Sequence, residues 1–330
     1  MSVLLDVYGL TVAVGGDWPE VVEAARLDYA WFARPEPVLR PDVEVLIAQR
    51  APDYDAFGDL VASFVTPRGT VFAANGTTVV DHVGRAISVI DRGGDRLHVH
   101  GDDEQVVHDA VYYFVLGRVG RHLDRIGLPR LHGLGLAGSG GAVAVLLPPT
   151  GGKTTLAVRA LQDEGVRLLS EDSPLLDRQG RLHPFPLRIA ISASDVPPAD
   201  AAPRRLERFW LQPKVAMEVE TFADRIAFEP VPLRHVVVGR RSLAADPQLL
   251  PLGRAAAAGP LLREGVLGVG LYQGLGYAHQ RGLRAVVDQL TTAGGRARSV
   301  AAALSRARVW QLVLGRNTDR NWELLSTLFR

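Results

Sequence analysis

The sequence predicts a mixed α/β protein in two parts: a small α+β domain over residues 1–120, then a larger domain over residues 121–330 with a mixed central sheet. Three observations predict this. Residues 4–101 read as short β segments around one helix. Residues 142–147 are a continuous apolar run, the pattern of a buried central strand, and a glycine-rich turn and a helix follow them. The charge divides in the same way. Residues 1–129 hold 11 Arg, no Lys and 19 acidic residues, a net −8, whereas residues 130–330 hold 26 basic and 17 acidic residues, a net +9.

The elements follow in order. Residues 4–14 are strand-like and stop at Gly15-Gly16. Asp17 can cap a helix that starts near Trp18-Pro19, where proline is tolerated, and that runs through Phe32 until Pro35 and Pro37 end it. Residues 43–49, 70–74, 77–81, 85–91 and 97–100 read as strands, with Asn75-Gly76 as a two-residue hairpin turn. Asp102, Asp103 and Glu104 open a long helix at its positive end, and Gly127 and Pro129 close it.

The second part opens with strands at 131–137 and 142–147, joined by Gly138 to Gly141. A helix carrying Leu156, Ala157, Ala160 and Leu161 ends at Gly165, and a strand at 166–169 leads into Ser170-Glu171-Asp172. Residues 175–177 and 181–183 suggest a hairpin, and 187–191 is strand-like. Residues 195–203, rich in Pro and Ala, read as a loop. Strands at 215–219, 234–238 and 309–314 follow, with helices near 281–290 and 319–329.

Composition narrows the function. The absence of cysteine removes disulfide scaffolds, thiolate zinc sites and cysteine nucleophiles. The basic half lacks the dense Lys/Arg runs with interleaved aromatics of a nucleic-acid binder, and its charge suits a polyanion such as a nucleotide or simply attracts the acidic half. No stretch approaches the ~20 apolar residues of a membrane span, and a cytoplasmic location is the expectation. Of the 37 basic residues only Lys153 and Lys214 are lysines.

Lys153 stands where the chemistry is most specific. Strand, glycine-containing loop, Lys-Thr and helix form the P-loop layout. A helix N-terminus presents unpaired N–H groups to phosphate, and glycines allow close approach of the backbone. A lysine supplies a compact charge for the outer phosphates, and the next hydroxyl can ligate Mg²⁺. The roles fall to Gly151, Gly152, Lys153 and Thr154. The full pattern would place Gly at Leu147, and Pro148 and Pro149 carry no N–H, so the N–H groups of Thr150 to Thr155 must build the cradle. Glu171 and Asp172 follow the next strand and lie beside this loop if the two strands are neighbours. One carboxylate could hold Mg²⁺ through water, and the other could accept a proton from an attacking hydroxyl.

The run from Leu131-His132-Gly133 through residues 142–147, Gly151-Gly152-Lys153-Thr154-Thr155 and Leu168-Leu169-Ser170-Glu171-Asp172 resembles the HPr kinase/phosphorylase family, over residues 131–176. That resemblance implies a phosphoenolpyruvate-carboxykinase-like P-loop nucleotide-binding domain, ATP and Mg²⁺, and γ-phosphoryl transfer to a Ser or Thr hydroxyl of a protein or peptide, with ribosomally made peptides among the candidates. It implies Lys153 on the transferred phosphate, Thr154 and Asp172 on Mg²⁺, the acidic pair as general base, and His132 near the phosphates. This chain has Glu171 at the family's first aspartate, so which carboxylate takes the proton stays open. A small-molecule hydroxyl kinase and a non-catalytic nucleotide sensor are the alternatives. The first domain is a candidate for acceptor recognition.

Other signals weigh less. Gly133 to Gly138 spell GxGxxG but overlap a strand instead of opening a helix. His98 and His100 alternate on one strand and read as an exposed face. Residues 265–276 are glycine-dense, a lid or a site of close helix packing. Arg188, Arg240 and Arg241 are candidates to stabilise phosphoryl charge. Lys214 reads as a surface residue.

Overall fold

The computed structural model describes residues 1–192, 204–208, 211–268 and 283–330, apart from Pro37, Pro67 and Asn75. The loop expected at 195–203 and most of the glycine-dense stretch lie outside the described residues, as does Asn75 of the expected hairpin turn. The architecture is mixed α/β. It divides into two compact units, Met1–His122 with Arg204–Lys214, and Leu123–Pro203 with Val215–Arg330.

The first unit is built on a nine-stranded sheet. Its strands are β1 (Ser2–Val7), β2 (Leu10–Gly16), β3 (Ala33–Arg34), β4 (Val43–Gln49), β5 (Ala62–Thr66), β6 (Gly69–Ala74), β7 (Thr77–Asp81), β8 (Ala86–Ile90) and β9 (Arg96–Gly101), in the order β3-β1-β2-β4-β9-β8-β7-β6-β5. The pairs β2–β4 and β4–β9 are parallel and the others antiparallel. The single strand expected at 4–14 is a hairpin. Tyr8 (φ 54°) and Gly9 (φ 88°) turn it, and Asp6 Oδ1 accepts the Gly9 N–H at 2.9 Å. Asp17 does not cap the next helix: it accepts the Gln49 N–H at 2.8 Å, and Trp18 occupies the cap position of α1 (Pro19–Asp28). That helix stops short of Phe32, and Ala30–Phe32 form a 3₁₀ turn. The long helix α2 (Glu104–Arg125) buries Val107, Val111, Val115 and Val119. Fully buried Asp28 meets His108 Nε2 at 2.7 Å and Arg204 Nη2 at 2.6 Å, the pairing a desolvated carboxylate requires.

The second unit holds β10 (Leu134–Gly138), β11 (Gly141–Leu146), α3 (Lys153–Leu161), β12 (Arg167–Ser170), β13 (Leu175–Leu176), β14 (Arg181–His183) and β15 (Ile189–Ile191). The strand β16 (Arg204–Arg208) falls in the first unit, and β17 (Leu211–Met217) pairs through Val215 to Met217 with β15. The chain continues through β18 (Val231–Arg241), β19 (Gln248–Pro251), α4 (Arg254–Leu261), a π-helical segment Leu262–Gly268, α5 (Leu283–Arg306), β20 (Arg308–Leu314) and α6 (Thr318–Ser326). The strand expected to reach residue 219 ends at Met217, and Val219–Arg225 is 3₁₀.

The eight-stranded sheet runs β12-β10-β11-β18, with β20 beside β18 and β19 beyond it. The strands β11, β18 and β20 are parallel, and β10 is antiparallel to both β11 and β12. Thus β11 and β12 are not neighbours, as the sequence reading required, but run in the same direction on either side of β10. Their carboxyl ends reach the same edge. Ala144, Leu146, Val236, Val238 and Val309 form the core with Ala257 and Leu261 of α4, Val266, and Val300 and Ala303 of α5. Arg296, 4% exposed, is bidentate to Asp124 at 2.8 and 2.7 Å and donates to the Val266 carbonyl at 3.2 Å.

Asp177 closes the β13–β14 hairpin. It is 3% exposed and accepts from Gln179 N, Arg181 N, Arg181 Nε and His183 Nε2. Burial acts to raise its pKa, but the hydrogen bonds from His183 and Arg181 outweigh it and hold the carboxyl below 3.8. A group depressed in the folded state contributes stability above its unfolded value and loses it as pH falls through the folded one. Urea melts of Asp177→Asn should show a loss of about 1–3 kcal/mol at pH 7. The gap from wild type should narrow steadily below pH 3.8.

Candidate functional site

The carboxyl ends of β11 and β12 and the start of α3 assemble the residues singled out in the sequence. After β11, Leu147 is buried and Pro148, Pro149 and Thr150 are exposed. Gly151 N–H donates to Pro148 O at 2.9 Å, so one of the amides expected to face a phosphate is used inside the loop. A Cβ on Gly151 would lie 2.7 Å from that same carbonyl. Gly152 takes φ +109° as the N-cap of α3, a conformation that favours glycine. Thr150 also has positive φ, 59°, unusual for a β-branched residue and a mark of local strain. Leu156 N–H donates to Gly152 O at 3.0 Å and starts the helical ladder, while the N–H groups of the first turn, at Lys153, Thr154 and Thr155, have no partner within the helix.

Lys153 is 8% exposed. Its Nζ donates to Leu147 O at 3.1 Å and lies 3.2 Å from His132 Nε2 and 3.6 Å from Asp172 Oδ1. His132 Nε2 is 3.2 Å from the same Asp172 oxygen. Asp172 is half exposed, so one side of this cluster faces solvent. Thr154 Oγ1 donates to Glu171 Oε1 at 2.5 Å. The structure therefore separates the acidic pair: Glu171 joins the Thr154 hydroxyl, and Asp172 joins the two basic side chains. Thr154 and Asp172, expected to share a metal, are not bonded to each other.

The sequence reading missed Glu264. It lies in the π-helical segment, is 6% exposed, and its Oε2 is 2.6 Å from His132 Nδ1. Its other oxygen accepts from Arg263 Nε at 2.7 Å. The separation of 132 residues from His132 left no local signal beyond a lone acid among Leu261, Leu262 and Val266. The hydrogen bond to Asp172 is the largest influence on His132 and raises its pKa above 6.5; burial and the Lys153 charge oppose this, and Glu264 adds to it.

Gly133 to Gly138 lead into and form β10, and a Cβ on Gly135 would meet Pro174 at 2.6 Å, so packing explains that glycine. His98 is exposed but His100 is 6% exposed, which corrects the expected open face; burial lowers the His100 pKa. Among the described residues no group of three His, Cys, Asp or Glu could hold a metal ion by itself. Arg240 and Arg241 are exposed at the carboxyl end of β18, the edge that also carries the Lys153 loop, and Arg188 is half-buried before β15. Lys214 is half-buried. Among the described residues no helix is long and apolar enough to cross a membrane.

Neither a protein-family model nor a curated protein matches the chain.

The Thr154–Glu171 bond makes a stability prediction. Thr154→Val and Glu171→Gln should be non-additive, with a coupling of about 0.5–3 kcal/mol in a double-mutant cycle followed by urea denaturation. Additive effects would show that the contact carries no energy.

Proposed function

We propose that the protein is an ATP-dependent kinase that transfers a γ-phosphoryl group to a Ser or Thr hydroxyl of a protein or peptide. One observation carries the reading: a buried lysine in the first turn of a helix, reached through a left-handed glycine, with an exposed carboxylate and a histidine gathered around its ammonium. A buried ammonium beside unpaired helix amides suits a polyanion, and open α/β sheets bind ligands beyond the carboxyl ends of their strands.

The residues fit Mg²⁺. Thr154 and Glu171 offer hard oxygen donors side by side, and Mg²⁺ sites use one or two protein oxygens completed by phosphate and water. Bound there, the ion would neutralise charge on the outer phosphates. Lys153 and the first-turn amides of α3 would hold the γ-phosphate, and His132 would lie beside it. Asp172, half exposed and not bonded to Thr154, is the better placed carboxylate to receive the proton. The acceptor oxygen forms its bond to the γ-phosphorus while the bond to the ADP oxygen breaks. The electron pair leaves with ADP, and the hydroxyl proton passes to Asp172.

Incubating γ-labelled ATP with the protein and fractionated lysate tests the reading. Label should enter an acid-stable protein or peptide fraction, and Asp172→Asn should lower the rate by about 10²–10⁴-fold. Label in the small-molecule pool would favour a metabolite kinase. Transfer left intact by both Asp172→Asn and Glu171→Gln would end the proposed mechanism.

A further inference from the structure

Resting on that reading, we infer that Glu264 is the positioning residue of the site: it fixes the His132 ring so that Nε2 stands beside Lys153, facing the transferred phosphoryl group. The hold is double. The Glu264 carboxylate takes His132 Nδ1 at 2.6 Å, and the Glu264 carbonyl accepts the His132 N–H at 3.0 Å. The next residue is held from the opposite side, since Gly133 N–H donates to Asp172 O at 3.0 Å. His132-Gly133 is thus clasped between Glu264 and Asp172, by main chain and side chain alike.

Glu264 is itself immobilised. At Gly265 a Cβ would lie 2.7 Å from Val300 Cγ2 and 3.2 Å from Leu131 Cδ1, so the backbone there is pressed onto α5 and onto the residue before His132. Two residues beyond Glu264, buried Arg296 grips the Val266 carbonyl at 3.2 Å. A carboxylate this deeply buried is costly unless each oxygen has a partner, and here His132 and Arg263 supply one each.

The hydrogen-bond logic assigns the ring's protons. A carboxylate can only accept, so the Nδ1 position carries the hydrogen. The functional nitrogen is then Nε2, which lies 3.2 Å from Asp172 Oδ1, to which it donates when the ring is protonated, and 3.2 Å from Lys153 Nζ, from which it accepts when the ring is neutral. Without Glu264 the ring could rotate or change tautomer, and Nε2 would lose its aim.

Mg-ADP with aluminium fluoride mimics a phosphoryl group in transfer, so calorimetric titration with Mg-ADP, alone and with aluminium fluoride, reads the position of Nε2. In the wild type the fluoride should tighten binding. Glu264→Met, which preserves buried volume but removes the acceptor, should reduce that gain about tenfold. Glu264→Gln, whose amide oxygen can still accept from Nδ1–H, should recover most of it and also serves if the methionine variant does not fold. His132→Leu should lose as much as Glu264→Met, and the double variant no more than either alone. A full gain in Glu264→Met, or in Glu264→Gln with His132→Leu also unaffected, overturns the inference while the nucleotide reading stands. Additive losses in the double variant overturn it too. Failure of the wild type to bind Mg-ADP at all overturns the nucleotide reading and this inference with it.

Discussion

A buried ammonium must be neutralised where it sits, and the second unit is organised around that requirement at Lys153. Removing a charged group from water is costly unless it is paired and hydrogen-bonded. The groups that meet the cost come from different parts of the chain: the Leu147 carbonyl after β11 and the Asp172 carboxylate after β12, which His132, ahead of β10, also faces. They converge because β11 and β12 run in one direction with the antiparallel β10 between them. Reversing β12 would send Asp172 to the opposite edge and leave the ammonium without its carboxylate.

The same constraint extends outward. His132 can serve Lys153 only if its own ring is held, and Glu264 does this from the segment between α4 and α5. That segment is fixed by the close packing at Gly265 and by Arg296, whose guanidinium is in turn locked on Asp124. The geometry at the Lys153 ammonium thus depends on packing several side chains away. Such nested support allows a site to be stiff even where its loop, with Thr150 at positive φ, is strained.

What was legible in the sequence was local. The continuous apolar strand, the paired glycines and the Lys-Thr step place the loop because each acts through neighbours in the chain. The turn at Tyr8-Gly9 was hidden inside a long apolar run with one aspartate, and that aspartate makes the turn. The helix expected to end near residue 290 continues to Arg306 across Gly294 and Gly295, because Arg296, Val300 and Ala303 are buried and tertiary packing overrides weak propensity. The partition of Glu171 and Asp172 between Thr154 and His132 depends on rotamers that no spacing encodes. Glu264 was out of reach because what brings it to His132 is the packing of the segment between α4 and α5 against residues distant in sequence, Val300 and Arg296.

The central claim is that the Lys153 edge is a phosphate site, and direct binding tests it best. Calorimetric titration of Mg-ATP into the wild type should give saturable binding, with loss of at least about tenfold in affinity in Lys153→Ala when both fold with the same cooperativity. Equal affinity in the two proteins, or no binding by the wild type at millimolar nucleotide, would contradict the account.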